Sequence, residues 1–437
     1  MTVPERRGLS RRDYLRAAVA VGGASAISAC LDERGEVDVP SGTDDPDSLP
    51  VRQHAWNEFL ETDDDGNVRP PEHHALVALS LAVNPANRSD SESSADRSDG
   101  ESWAEATETV EESLRTLERA YEWSNDGLLF TIGYTPSYFS RFDEERPASV
   151  DLPEPEPLTD REDPAFDEFD GLIHLASDHP EVVLRAEEAL FGDLETVNDE
   201  PVDTDLTGVF DRLEERRRTG FVGAGLPAEH TDVDGVPDSV PEEAPFFMGF
   251  RSGFQESQAT EDRVTIQDGP FARGATQQLS SLDIQLDVWF EQENHAQRVM
   301  KTFSPGHDED AVGVVGEALE TSNGLTDERI ASTEDDAQNP GVVGHAQKAA
   351  RAREDGEPII LRRDFNTVDG DSPGLHFLSL QRGMSDFRAV RDAMTGADLD
   401  VGIIQNNGIL GYIFVDRRGN YLLPPRSRRS LPTANPD

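Results

Sequence analysis

The chain has 437 residues and a formal net charge of -49 at pH 7, with 88 acidic residues against 39 lysines and arginines. An acidic excess spread along the whole length repels nucleic acid and anionic membrane wherever charge is unscreened, and the length suits two domains, or one large domain with tails. A single cysteine, Cys30, excludes an intramolecular disulfide and cysteine-clustered zinc or iron–sulfur sites.

Apolar runs recur at strand and helix spacing, which argues for a folded body under a solvating acidic surface, as in salt-loving organisms, over a disordered chain. At the N-terminus, Ser10 to Arg16 looks like a twin-arginine export signal, followed by the apolar stretch Ala17 to Ala29. That stretch is shorter than the about 20 apolar residues a spanning helix needs. It ends in Ile27-Ser28-Ala29-Cys30, which resembles a lipoprotein cleavage box with Cys30 as the lipidated thiol. Residues 1–30 are therefore expected to be a twin-arginine lipoprotein signal and residues 31–50 a flexible acidic tether. The body would be exported and lipid-anchored at the membrane surface, an extracytoplasmic, cell-surface lipoprotein.

Residues 51–215 are expected to form a first module. His74 to Val83 is apolar at nearly every position and reads as a strand buried on both faces. His73 and His74 at its start read as strand-edge polar residues. Asn84 to Trp103 is a Ser/Asp-rich surface excursion, and Thr107 to Trp123 has apolar residues at helical spacing. Leu128 to Tyr134 and Leu172 to Ala176 are strands, Pro180 to Leu190 is a helix, and a closing strand fits near Val209. This order suits a ferredoxin-like unit.

Residues 216–425 are expected to form a second module of the same kind. Its elements are a strand from Leu279 to Phe290, a helix starting at Glu291 and another over Asp308 to Leu319. A strand follows over Leu375 to Leu380, then a helix around Phe387 to Met394, then the run Ile403 to Val415. His345 heads a polar, basic segment, seventeen residues before Arg362. By itself it reads either as a surface histidine near a helix start or as an axial metal ligand. Arg362 reads either as a surface ion-pair partner or as a fixed cation in a site. Residues 426–437 read as a loose polar tail.

The ordered series of segments resembles the dye-decolourising (DyP-type) haem peroxidases. LLFTIGYTPSYFSRF and FDGLIHLASDHPEVV are similar to segments of that family's first half, and Gly249-Phe250-Arg251-Ser252-Gly253 to its G-F-x-D-G signature. His345, the Leu361-Arg362-Arg363 run and the Phe377 strand resemble its second half. The resemblance implies an α+β fold of two ferredoxin-like modules joined in a dimeric α/β-barrel-type architecture, and haem b held mainly by residues 216–425. It implies His345 as iron ligand, Arg362 as the cation over the opposite face, and Gly249, Phe250, Arg251, Gly253, Phe377, Leu378 and Leu380 as cofactor-binding residues. Hydrogen peroxide and an unknown reducing substrate would be its partners, and a homo-oligomer is allowed. The nearest branch is the deferrochelatase-like one, here as a haloarchaeal exported form.

One position departs from the pattern. Ser252 stands where the family carries an acid, and a hydroxyl does not ionise near neutral pH. Asp364 and Glu256 are the acids that could stand in, Asp364 because it falls on the Arg362 side of the strand. Arg363 would alternate outward. His295 and His307 are alternative ligands. The expected activity is that of a hydrogen-peroxide-dependent oxidoreductase. A non-catalytic haem-handling protein and a cofactor-free extracytoplasmic binding lipoprotein are the rival readings.

Overall fold

The computed structural model describes residues 39–85 and 102–436. The twin-arginine motif, Cys30, the start of the tether and most of the Ser/Asp-rich excursion lie outside the described residues. Eight of the eleven strands in the main sheet form its closed ring: β1 (His73–Leu81), β2 (Leu129–Tyr134), β3 (Gly171–Ser177), β4 (Arg218–Phe221), β5 (Ala275–Ile284), β6 (Phe365–Thr367), β7 (Gly374–Gln381) and β8 (Ile413–Leu423). Their pairing runs β7–β6–β4–β1–β3–β2–β8–β5 and returns from β5 to β7, so the sheet closes into a barrel. Closure removes exposed sheet edges. Two seams are thin. Asn366 opposite Phe221 joins β6 to β4, and Leu422 opposite Tyr134 joins β8 to β2.

The first half forms as its pattern predicts. Strands β1, β2 and β3 are buried at almost every position because helices cover one face and the barrel interior the other. Helix α1 (Trp103–Ala120) begins a turn before the expected Thr107. Ser102 Oγ accepts the Glu105 amide and the Glu105 carboxylate accepts the Ser102 amide, satisfying two otherwise free donors. Its stripe Val110, Leu114 and Leu117 packs into the main core with Val183 and Ala186 of α2 (Pro180–Leu190). Strand β4, just past residue 215, pairs with β1.

Three expectations differ from the structure in this region or its continuation. His73 and His74 are not at an edge, because β1 is flanked by β3 on one side and β4 on the other. Both are buried. His74 Nδ1 lies 3.0 Å from His174 Nε2, and its ring stacks on Phe365 at 4.2 Å. Burial holds His174 down at about 3 and His74 well below its ordinary value, so both are neutral. The tether reading does not extend to residues 39–50, where the Gly42 and Thr43 amides donate to Arg119 and Glu118 carbonyls at 3.0 Å. These bonds satisfy the open C-terminal end of α1. Nor is the tail loose: Arg429 is 1% exposed, paired with Glu111 and Glu118, and Leu431 and Ala434 are buried.

In the second half the strand expected over Leu279 to Phe290 ends at Ile284. Leu286 to Gln292 is a helix (α3) that buries Leu286 and Trp289, three residues apart on one face. Helix α4 (His295–Thr302) follows, opened by a capping box at Asn294 and Gln297. The long helix expected over Asp308 to Leu319 is one turn, Glu309–Val312, ended by Gly313 at φ 80. Then come α5 (His345–Ala349) and α6 (Met384–Thr395). The last strand was expected to end at Val415; instead it starts at Ile413 and runs to Leu423, through buried Arg418 and Asn420. Among the described residues no helix is long and apolar enough to cross a membrane.

Candidate functional site

A cavity of about 210 Å³ lies between the face of β5, β7 and β8 turned away from the Leu279, Leu378 and Tyr421 core, the loop from Phe246 to Phe254, and α5. Leu282, Ile284, Leu375, Phe377, Ile413 and Val415 make an apolar wall from alternate positions of three strands. His345, Arg362, Asp364, Ser252, Arg251 and Phe250 all reach the same space. The structure thus brings together most of the residues singled out from sequence.

His345 is placed by a short helix docked on the end of α4. The Gln347 amide donates to Phe303 O at 3.1 Å, and Gln347 Oε1 accepts the Gly344 amide at 3.2 Å. Gly344 is required by this contact, since a Cβ there would lie 1.9 Å from Phe303 O. Burial pushes His345 down to about 3, and the charges of Lys348, Arg362 and Arg391 press the same way, so the imidazole is neutral. Its Nδ1 is buried without a hydrogen-bond partner. The alternative ligands are engaged elsewhere. His307 is 2.8 Å from Ser304 Oγ through Nδ1 and 3.0 Å from Asn323 O through Nε2, and His295 Nε2 is 3.1 Å from Gly313 O.

Arg362 lies on a two-residue strand paired with β7. The Gln258 side chain holds its backbone on both sides: Oε1 accepts the Arg362 amide at 3.0 Å and Nε2 donates to the Arg362 carbonyl at 3.2 Å. Arg362 Nη1 is 3.6 Å from Asp364 Oδ2, while Asp364 Oδ1 accepts the Leu378 amide at 3.1 Å. Burial raises Asp364 to about 6, with Arg362 and the Leu378 amide drawing it back. Arg363 does not point outward. It donates to His54 O at 2.8 Å and to Glu261 at 2.9 Å, and lies 4.4 Å over the Trp56 ring, because both faces of this strand are covered.

Ser252, Arg251, Arg362 and Asp364 also line a second chamber of about 350 Å³, which adjoins the first and reaches Asp63, His74 and Arg363. Gly253 lines that chamber only, and Gly249 lines neither. Both have positive φ, 84 and 93, so backbone conformation accounts for glycine at each. Leu378 and Leu380 are on the wrong face: strand alternation sends them away from Phe377 into a core with Leu279, Leu361 and Tyr421. Glu256 is absent from both chambers and instead accepts a bond from Thr321 Oγ1.

Sequence reasoning missed several lining residues. Ser257 Oγ, Thr302 Oγ1 and Arg418 Nε and Nη1 join His345 Nδ1 as buried, unpartnered polar atoms on residues around the cavity. Buried polar groups are seldom left unpaired, so the cavity has the character of a ligand site. Among the described residues no group of three or more His, Cys, Asp or Glu side chains could hold a metal ion.

A family model described as "Family of unknown function (DUF7405)" matches residues 71–425. No curated protein matches the chain. Among solved structures, the encapsulated DyP-type peroxidase from Mycobacterium smegmatis aligns with TM-score 0.53 at 13% identity, covering 86% of this chain and all of that one (100%). The DyP-type peroxidase from Cellulomonas bogoriensis aligns with TM-score 0.53 at 18% identity, over 84% of this chain and 93% of that one. At such identities the likeness establishes an α+β, DyP-like barrel fold.

Proposed function

We propose, given that the chain belongs to the family of unknown function DUF7405, that it is a haem-binding oxidoreductase using hydrogen peroxide. One observation carries the reading: a neutral, unpartnered His345, the cation Arg362 and the acid Asp364 converge on one apolar cavity. The cavity's residues fit haem b. A haem iron needs a single imidazole from the protein, and His345 supplies one free of other bonds at Nδ1. When bound, the haem would supply the redox chemistry and the activation of peroxide.

The protein's own part follows from its side chains. Arg362, permanently charged, stabilises negative charge developing on a peroxide oxygen. Asp364 Oδ2 takes a proton from peroxide and returns it to the oxygen that leaves as water. A carboxyl group held near 6 can do both, whereas the Ser252 hydroxyl only donates or accepts a hydrogen bond. An external reductant closes the cycle. Export by the twin-arginine route, lipidation at Cys30 and a two-module origin of the barrel belong to the same proposal, as does the deferrochelatase-like assignment. A second reading, haem handling without turnover, is favoured by Ser252 standing where the resemblance calls for an acid.

The test is an absorption spectrum of the full-length protein mixed with haem b in concentrated salt, followed by peroxide-dependent oxidation of a dye. A Soret band that His345→Ala shifts or removes, with dye turnover, is the expected result. No Soret band defeats both haem readings. A His345-dependent band without turnover in the wild type or in Ser252→Asp leaves haem handling.

A further inference from the structure

The cavity meets the protein surface at a crevice that shares Arg391, Leu410, Ile413 and Val415 with it. On the cavity side of this opening, Arg418 of β8, 2% exposed, donates through Nη2 to Glu162 Oε2 at 2.9 Å, while its Nε and Nη1 are buried without partners. Arg391 of α6 binds the other oxygen of the same carboxylate. One acid therefore answers two guanidinium groups. Neighbouring Arg388 is paired with both Glu156 and Asp392, so the three arginines here face three carboxylates, and it is Arg418's hydrogen-bonding edge, not net charge, that is left unmatched. The outer crevice carries Asp160 and Asp398, and Asp398 is taken by Arg351 at 2.7 Å. Burial lowers Arg418 to about 10, which leaves it charged at neutral pH.

Arg418 is thus a buried guanidinium that meets a carboxylate on one nitrogen and nothing on the other two. Buried donors without acceptors and buried charges without partners are both costly. A group that met these donors would be an acceptor small enough to reach a guanidinium edge, and the apolar strand residues that wall the adjoining space suit an apolar body attached to it.

We infer that the Arg391–Arg418 corner binds the carboxylate of a ligand whose apolar body occupies the cavity. This deepens the reading above, because a haem propionate is one source of such a carboxylate; a free amphipathic acid, such as a fatty acid, is the other. Guanidinium–carboxylate hydrogen bonds are charge-assisted and directional, so the corner fixes the ligand's orientation as well as its affinity.

The experiment titrates the full-length protein in concentrated salt with haem b, haem b dimethyl ester and dodecanoate, following absorbance and tryptophan fluorescence. If the propionates are the source, the wild type binds haem b at least about tenfold more tightly than the diester, and Arg418→Leu binds the two alike. Arg418-dependent binding of dodecanoate without a Soret band on haem addition supports the corner while defeating the haem reading. A His345-dependent Soret band with equal wild-type affinity for acid and diester overturns the inference and leaves the haem reading standing. Binding of none of the three ligands overturns it outright. Should Arg418→Leu fail to fold, the wild-type comparison of acid with diester decides alone.

Discussion

Arg362 and Asp364 are two residues apart on one extended segment, so their side chains share a face and their charges meet at 3.6 Å. Pairing alone would hold the carboxyl below its ordinary range, yet burial wins and lifts it to about 6. The consequence for stability has a definite sign. Between the unfolded value near 4 and the folded value near 6, the folded state holds a proton that the unfolded state has released. Stability from this residue is therefore complete below pH 4 and is lost as pH rises through 6. A shift of two units corresponds to about 3 kcal/mol at most, and losing the partner of the quarter-exposed Arg362 offsets part of it. Asp364→Asn should accordingly be more stable than the wild type by about 1–3 kcal/mol at pH 7.5 in denaturant titrations of haem-free protein. The gap should close by pH 4. A variant less stable than the wild type at pH 7.5 would mean that ion pairing, not desolvation, dominates the site.

At the scale of elements, the short helix α5 sets His345, and its docking depends on Gly344 lying against Phe303 O. Gly344→Ala brings a methyl group into carbonyl contact at 1.9 Å, so either α5 or the end of α4 must move. A loss of about 2 kcal/mol or more is expected. Haem affinity, read from the Soret titration, should fall further than stability alone explains. Unchanged affinity in a folded variant would show that His345 is not the group that holds haem. Elements of this kind were only partly legible beforehand. Strands β1, β2 and β3 declared themselves through unbroken apolar runs, and the series His345, Arg362, Asp364 only through the resemblance to a known family. Strand β8 did not, because Arg418 and Asn420 sit inside it, Arg418 bound through Nη2 to Glu162 and Asn420 to the Pro153 carbonyl. Those partners lie 256 and 267 residues away. Gln258, which clamps Arg362 from 104 residues away, was invisible for the same reason. Whether Phe377 or Leu378 faced the cavity depended on which face of β7 looks inward, which local alternation leaves open.

Across the whole molecule, charge is arranged by depth. Both lysines of the chain, Lys301 and Lys348, are buried, 4% and 0% exposed, so every cation at the surface is an arginine or a histidine. Buried pairs such as Arg218 with Asp167 and Lys301 with Glu293 are enclosed by protein, and salt screens such pairs weakly. The net charge of -49 is instead borne mostly by exposed carboxylates that repel one another through water. The Debye length falls from about 10 Å at 0.1 M salt to about 3 Å at 1 M, so added salt should remove the repulsion while leaving the buried pairs intact. The thermal midpoint should therefore rise by about 10 °C or more between 0.1 M and 2 M potassium chloride, corresponding to a few kcal/mol for a chain of this size. Sucrose at matched osmolality, which strengthens burial without screening charge, should raise it less. A midpoint that stays flat or falls with salt would show that surface ion pairs, not acidic self-repulsion, govern the stability of the folded state.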